Sequence, residues 1–310
     1  MAVQRPGNSC DPIEILPTRG RVVLNAFKGA MLYSQRRFGR GLGLWRAIDI
    51  GSKIWTNWAL CPVLGPDGKP LFIDLRAGGF GITTQGYGVG EIIPLLDYFA
   101  NDAIVLDIGS NIGVWSRLFA ARVPLGKVYA FEPSPSTFKL LAKNCCQFPN
   151  IECIPRALGG DNGTVAFRED APAGMRHLVS NSTSDGSDTM VPVSRLDDWV
   201  REAGLTRIDF IKIDVEGLEE ELLGGARDTI QRFDPTILFE FLPWMAEERS
   251  KFRGRVLFAE LRKLGYRSFR VDKFGSLFED FMTPEDWTND YLAVSATSRF
   301  QPAVDKLLKR

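Results

Sequence analysis

Two clusters in this chain have the residue types and spacing that chemistry needs. The first is Val105-Leu106-Asp107-Ile108-Gly109-Ser110-Asn111-Ile112-Gly113, an apolar run that ends in an acid and two glycines four residues apart. Such glycines suit a strand-to-helix turn, where bare backbone admits a ligand and the next helix offers its first unused amides. Twenty-three residues after Gly109 comes Phe131-Glu132-Pro133, which ends a second apolar run with a carboxylate. A carboxylate there can accept from both hydroxyls of a ribose. The turn and the acid together point to an adenosine-containing cofactor.

The charge pattern narrows the choice. A dinucleotide turn needs a middle glycine to admit a diphosphate, and Asn111 stands in its place. Asp107 is read as facing the ligand, where an acid repels a diphosphate and attracts a cation. S-adenosyl-L-methionine carries an ammonium and a sulfonium and no phosphate. Its expected contacts are Asp107, Gly109, Ser110, Asn111, Gly113, Glu132 and Pro133. The alternatives are an NAD-linked oxidoreductase on a similar sheet and a non-catalytic cofactor-binding module. The missing middle glycine counts against the first, and the intact acid-and-glycine set against the second.

The second cluster is Ile211-Lys212-Ile213-Asp214-Val215-Glu216-Gly217, with Phe239-Glu240-Phe241 further on. Asp214, Glu216 and Glu240 would converge at strand ends. Carboxylates so placed could act as a general base toward a bound acceptor. The candidates are Glu216, Asp214, Glu240 and His177, the chain's one histidine. The rigid strand-end position favours Glu216 or Asp214. Three carboxylates are a donor set that Mg²⁺ accepts, but no metal is expected. Lys212 lies in an otherwise apolar strand and needs a counter-charge, most simply Glu240. Glu219-Glu220-Glu221 reads as a solvated helix face, and Trp115 as helix packing.

The elements that must position these residues alternate from about residue 91. Strands are read at 103–108, 127–131, 151–154, 208–213, 236–241, 266–271 and 291–295. Helices are read at 114–122, 135–146, 196–203, 218–233 and 249–264. A hairpin-like piece covers 163–168 and a polar loop 178–189. Runs such as Ile104-Val105-Leu106 lack period-2 alternation, as strands covered on both faces do. The pattern implies an α/β doubly wound sheet, with ligands beyond the carboxyl ends of its strands.

The segments around 105–116, 130–144, 208–226 and 237–241 together resemble the FkbM-type family of S-adenosylmethionine-dependent methyltransferases, with Asp-Val-Glu-Gly as the most specific element. The resemblance spans about residues 85–245 and implies a seven-stranded Rossmann-like sheet of the class I methyltransferase type. It also implies O-methylation of a sugar, polyketide or other small hydroxylated acceptor. By motif position it assigns Asp107, Gly109 and Gly113 to the methionine side, Glu132 to the ribose, Ala157 and Leu158 to the adenine, and Glu91 to an acid before the first strand. Asp214 falls at the border of cofactor and acceptor.

Composition sets the outer limits. The 310 residues carry 38 basic and 38 acidic side chains, which leaves no global field to attract nucleic acid. Five cysteines, two of them adjacent and none in a CxxC pair, fit free thiols in a reducing cytoplasm better than disulfides or zinc. No run is long enough to span a membrane. Residues 1–90 are read as an N-terminal extension, a basic helix and a β-hairpin over 55–75, and 91–310 as the methyltransferase domain. Residues 19–53 hold eight basic side chains and one acidic, a surface suited to peripheral contact with an anionic partner. The acceptor and the oligomeric state are not encoded in any pattern found.

Overall fold

The computed structural model describes residues 60–74, 93–168, 178–179, 188–215, 217–241, 255–272, 275–279 and 289–308. The basic segment 19–53 and the start of the expected hairpin lie outside them, as do Glu91, His177 and Glu216. The chain divides into two units, Met1–Gly88 and Val89–Arg310.

In the first unit, β1 (Leu60–Leu64) and β2 (Pro70–Asp74) pair antiparallel. Gly65 donates its amide to the Lys69 carbonyl at 2.8 Å, and Gly68 takes the left-handed conformation its position in the turn requires (φ 74°).

The second unit begins with α1 (Ile93–Leu96), β3 (Ile104–Ile108), α2 (Val114–Arg122), β4 (Lys127–Phe131), α3 (Pro135–Cys145) and β5 (Ile151–Ile154). Next come β6 (Ala157–Gly159), β7 (Gly163–Arg168), β8 (Leu178–Val179), β9 (Asp188–Arg195) and α4 (Leu196–Glu202). Then follow β10 (Phe210–Ile213), α5 (Glu219–Gly224), α6 (Arg227–Phe233) and β11 (Thr236–Phe241). The remaining elements are α7 (Arg255–Lys263), β12 (Tyr266–Val271), β13 (Leu277–Phe278), β14 (Asn289–Ser295) and α8 (Gln301–Leu307).

The main sheet runs β5-β4-β3-β10-β11-β14-β12-β13. Its first five strands are parallel, and β14 is antiparallel to both β11 and β12. The expected seven strands are present, and β13 adds an eighth at the edge. Asp272 accepts from the amides of Gly275 and Ser276, which folds that two-residue strand back onto β12.

The sheet is covered on both faces. Val105, Phe210, Leu238 and Leu292 pack with Phe119, Leu141 and Phe300 on one side. Leu106, Ile211, Ile237 and Phe239 pack with Leu196, Leu222, Ile230 and Leu257 on the other. Each side chain so enclosed contributes about 1.5–3 kcal/mol.

Two expectations change. The helix read over 218–233 is two helices, because a Cβ on Gly225 would sit 2.1 Å from the Gly159 carbonyl oxygen. The Gly224-Gly225 step therefore breaks the helix to let β6 approach. The loop read over 178–189 supplies strand at both ends, to a second sheet ordered β6-β9-β7-β8. Along β9, Met190 and Pro192 are exposed while Val191 and Val193 are buried, the period-2 signal that could have revealed it.

Candidate functional site

The strand order reverses beside β3, with β4 and β5 on one side and β10 and β11 on the other. Open α/β sheets bind ligands at the carboxyl ends of strands flanking such a reversal.

The turn after β3 is held by backbone hydrogen bonds. Gly109 and Ser110 both donate to the Phe131 carbonyl, at 3.1 and 2.9 Å, and Gly113 donates to the Ser110 carbonyl at 2.9 Å. Gly109, Asn111 and Gly113 have φ of 80°, 49° and 89°. A Cβ on Gly109 would lie 1.9 Å from the Asp214 carbonyl oxygen. One on Gly113 would lie 2.8 Å from Cys145 Sγ and 2.9 Å from Leu141 Cδ1. The two glycines thus seat protein against protein: the first admits the end of β10, the second admits α3. Bare backbone for a ligand is not what either position requires. Asn111, between them, is exposed.

Glu132 is buried at the end of β4. Its Oε2 accepts from the Asn111 amide at 3.0 Å and its Oε1 from the Ser134 amide at 2.9 Å. The acid therefore ties the turn after β3 to the start of α3. There Ser134 Oγ accepts from the Thr137 amide at 3.2 Å and Pro135 opens the helix. Pro133 links the two anchors. Ala157 and Leu158 are buried in β6, and Trp115 packs against the core beside Phe119, as expected.

A polar column runs along one face of the sheet. Asp107 and Lys212 are register partners on β3 and β10. Asp214 follows Lys212 by two residues and so points the same way. Asp107 does not face open space: it is fully enclosed, with Oδ2 accepting from Ser116 Oγ at 2.5 Å and Oδ1 3.9 Å from Lys212 Nζ. Burial raises its pKa against the pull of Lys212. The premise that Asp107 presents its charge to the ligand is therefore corrected.

Lys212 donates to Asp214 Oδ2 at 3.0 Å and lies 5.4 Å from the centre of the Trp115 ring. Its partner is Asp214 rather than the expected Glu240, whose charge acts on it only at longer range. Burial alone would lower the Lys212 pKa. The charges of Asp214, Asp107 and Glu240, with the Asp214 hydrogen bond, outweigh it and raise the pKa, so an ammonium is held here. Burial also pushes the Glu240 carboxyl up to about 8, helped by the charges of Asp214 and Asp290. This shift favours the protonated form of Glu240. Asp214 is the accessible member: 34% of its side-chain surface is exposed, against 6% for Lys212 and none for Asp107.

The acidic run on α5 is not a solvated face. Glu219 is buried, and its Oε1 accepts from the Gly217 amide at 3.1 Å. Sequence reading missed this residue and also Ser116, whose contact nine residues from Asp107 leaves no local pattern. Among the described residues, no three His, Cys, Asp or Glu side chains are grouped to hold a metal, and no helix is long and apolar enough to cross a membrane.

The strand order and the turn define a Rossmann-like α/β protein of the class I methyltransferase type. The family described as the methyltransferase FkbM domain matches residues 107–268, about half the chain, and the chain belongs to it. Its relatives include the 2-O-methyltransferase NoeI of Sinorhizobium fredii, 29% identical over 157 residues, which are 46% of this chain and 64% of that protein. The hexuronic acid methyltransferase AglP of Haloferax volcanii is 33% identical over 140 residues, 44% of this chain and 55% of that one. The chain thus spans less than two thirds of the length of these relatives. A crystal structure of methyltransferase FkbM from Methylobacillus flagellatus aligns with 71% of this chain and 53% of its own, at 16% identity and a TM-score of 0.43.

Proposed function

We infer that this chain moves a methyl group from S-adenosyl-L-methionine to a hydroxyl of a small molecule, with a sugar as the favoured acceptor class. The observation that carries the reading is Asp214, an accessible carboxylate clamped by a buried ammonium at the strand-order reversal, beside the turn that Glu132 braces. Family membership supports the donor, and the relatives named for 2-O- and hexuronic acid methylation support the acceptor class.

The residues fit the cofactor. Glu132 stands at the end of β4 against the exposed Asn111, and a carboxylate offers about four acceptor sites, enough for amides and a ribose diol together. When bound, S-adenosyl-L-methionine supplies a methyl group on a sulfonium, a leaving group that needs no activation. The protein's part is alignment, exclusion of water and removal of one proton. The Gly109–Gly113 turn holds the cofactor side at a fixed distance from Asp214, because the Asp214 carbonyl packs on Gly109. Asp214 takes the acceptor proton, and Lys212 fixes the orientation of its carboxylate. Glu240, whose carboxyl burial holds toward the protonated form, is the less favoured base. Glu216 remains the second candidate by its place two residues after Asp214.

The test combines calorimetry with S-adenosylhomocysteine and labelled methyl transfer to D-glucuronate and N-acetylglucosamine. Asp214→Asn should keep affinity for S-adenosylhomocysteine and lose transfer. Binding of NAD in place of S-adenosylhomocysteine, or full transfer by Asp214→Asn, would overturn the reading.

A further inference from the structure

We propose that Glu219 is a positioning residue: its carboxylate braces the Gly217 backbone, three residues after Asp214, and so fixes Asp214 at the acceptor side. This deepens the reading of Asp214 given above and rests on it. Glu219 sits at the first position of α5 and is 3% exposed. Its Oε1 accepts from the Gly217 amide at 3.1 Å. One buried carboxylate therefore ties the first turn of α5 to the Gly217 backbone just before it. Gly217 has φ 94°, a conformation other residues rarely adopt.

The upstream end of the turn is fixed independently. The Asp214 amide donates to the Ile108 carbonyl at 3.0 Å, and the Asp214 carbonyl occupies the space a Cβ on Gly109 would need. Asp214 is thus held by β3 on one side, and Glu219 braces the backbone three residues further on.

An apolar side chain here would leave the Gly217 amide without its acceptor. Burial pushes Glu219 up to about 7, and the nearby charge of Asp214 adds to the shift, although the amide bonds oppose it. An ionised group in this place destabilises the fold at neutral pH, and an amide of the same shape would not. What the position requires is an acceptor for the Gly217 amide, which a glutamine oxygen also supplies.

The experiment compares the full-length chain with Glu219→Ala and Glu219→Gln. Amide exchange of the 214–218 segment is read by mass spectrometry, thermal midpoint at alkaline pH by calorimetry, and S-adenosylhomocysteine affinity by titration. Labelled methyl transfer to D-glucuronate is the fourth readout. In Glu219→Ala, exchange in the segment should accelerate by about tenfold or more while distant segments keep their rates. Affinity for S-adenosylhomocysteine should stay within about twofold, and kcat should fall at unchanged KM for the donor. Glu219→Gln, which keeps one acceptor oxygen, should restore most of both losses without lowering the midpoint. Unchanged exchange of the segment in Glu219→Ala would overturn the proposal. Wild-type protein that binds no S-adenosylhomocysteine would instead defeat the functional reading, while the exchange comparison still decides the role of Glu219 in the turn.

Discussion

Lys212 and Asp107 are in register on adjacent parallel strands, and their charged groups stop 3.9 Å apart inside the protein, with the Asp107 side chain fully enclosed. The ammonium makes its hydrogen bond to Asp214 instead, at 3.0 Å. One buried cation thus serves two acids, one interior and one accessible. The column links the strand that leads into the Gly109–Gly113 turn to the residue proposed as base.

Removing that cation should be costly. Lys212→Met would leave Asp107 buried without a counter-charge, and breaking a buried pair from one side costs about 3–5 kcal/mol. For a unit of this size the thermal midpoint should fall by about 10 °C. Lys212→Met combined with Asp107→Asn should recover a large part of the loss, because the orphaned charge is gone. Calorimetric unfolding of both variants checks this. A single variant as stable as the parent would mean the column is not an interacting unit.

The pH dependence of stability follows from the raised acids. Glu240 is pushed from 4.5 to about 8 and Glu219 from 4.5 to about 7, both chiefly by burial. The folded chain therefore keeps protons that the unfolded chain releases above about pH 4.5. Their contribution is full below that pH and is lost as pH rises through 7 and 8. Urea midpoints should fall from about pH 5 to about pH 8 and then level off. Glu240→Gln, which stays neutral, should flatten the curve. A parent curve that rises across this window would contradict the burial of these carboxyls.

What the sequence revealed here has a physical pattern. The buried parallel strands were legible because runs such as Phe210-Ile211 are apolar throughout, and the acids that end β4, β10 and β11 were legible as breaks in those runs. Side-chain direction was not, because a strand covered on both faces carries no alternation to show which way Asp107 points. The partner of Lys212 depends on inter-strand register, which sets Asp107 beside it and leaves Asp214 two residues on. The burial of Glu219 depends on the fold of its own turn, and three consecutive glutamates otherwise read as surface. The glycines were correctly placed in a turn, but what they make room for, the Asp214 carbonyl and the α3 side chains, is long-range packing.

Those glycines give a graded series. Gly265→Ala meets open space and should cost about 1 kcal/mol for its positive φ alone. Gly113→Ala adds contacts of 2.8 and 2.9 Å with side-chain atoms that can shift, so it should cost more. Gly109→Ala would drive a methyl group to 1.9 Å from a backbone oxygen held between two strands, so it should cost most and disturb Asp214 directly. Urea unfolding of the three variants should follow that order. Gly109→Ala as mild as Gly265→Ala would show that the ends of β3 and β10 are not in contact as described.

Glu132 carries two loads, and substitution should separate them. Its carboxylate accepts from the amides of Asn111 and Ser134, so Glu132→Ala leaves two backbone donors of the turn and the helix start without their acceptor. Abandoning the buried Ser134 amide costs about 1–3 kcal/mol, and the thermal midpoint should drop accordingly. If the same carboxylate also receives the ribose, affinity for S-adenosylhomocysteine should fall by about 10–100-fold, the loss of two charge-assisted hydrogen bonds. Glu132→Gln distinguishes the two roles. One amide oxygen can still accept from a backbone donor, but the NH₂ group cannot replace the second acceptor, and neither end carries charge. This variant should recover stability more than affinity. Calorimetric titration and thermal unfolding of both variants provide the comparison. A Glu132→Ala protein that is less stable yet binds with undiminished affinity would reduce Glu132 to a brace for the turn and move the ribose elsewhere.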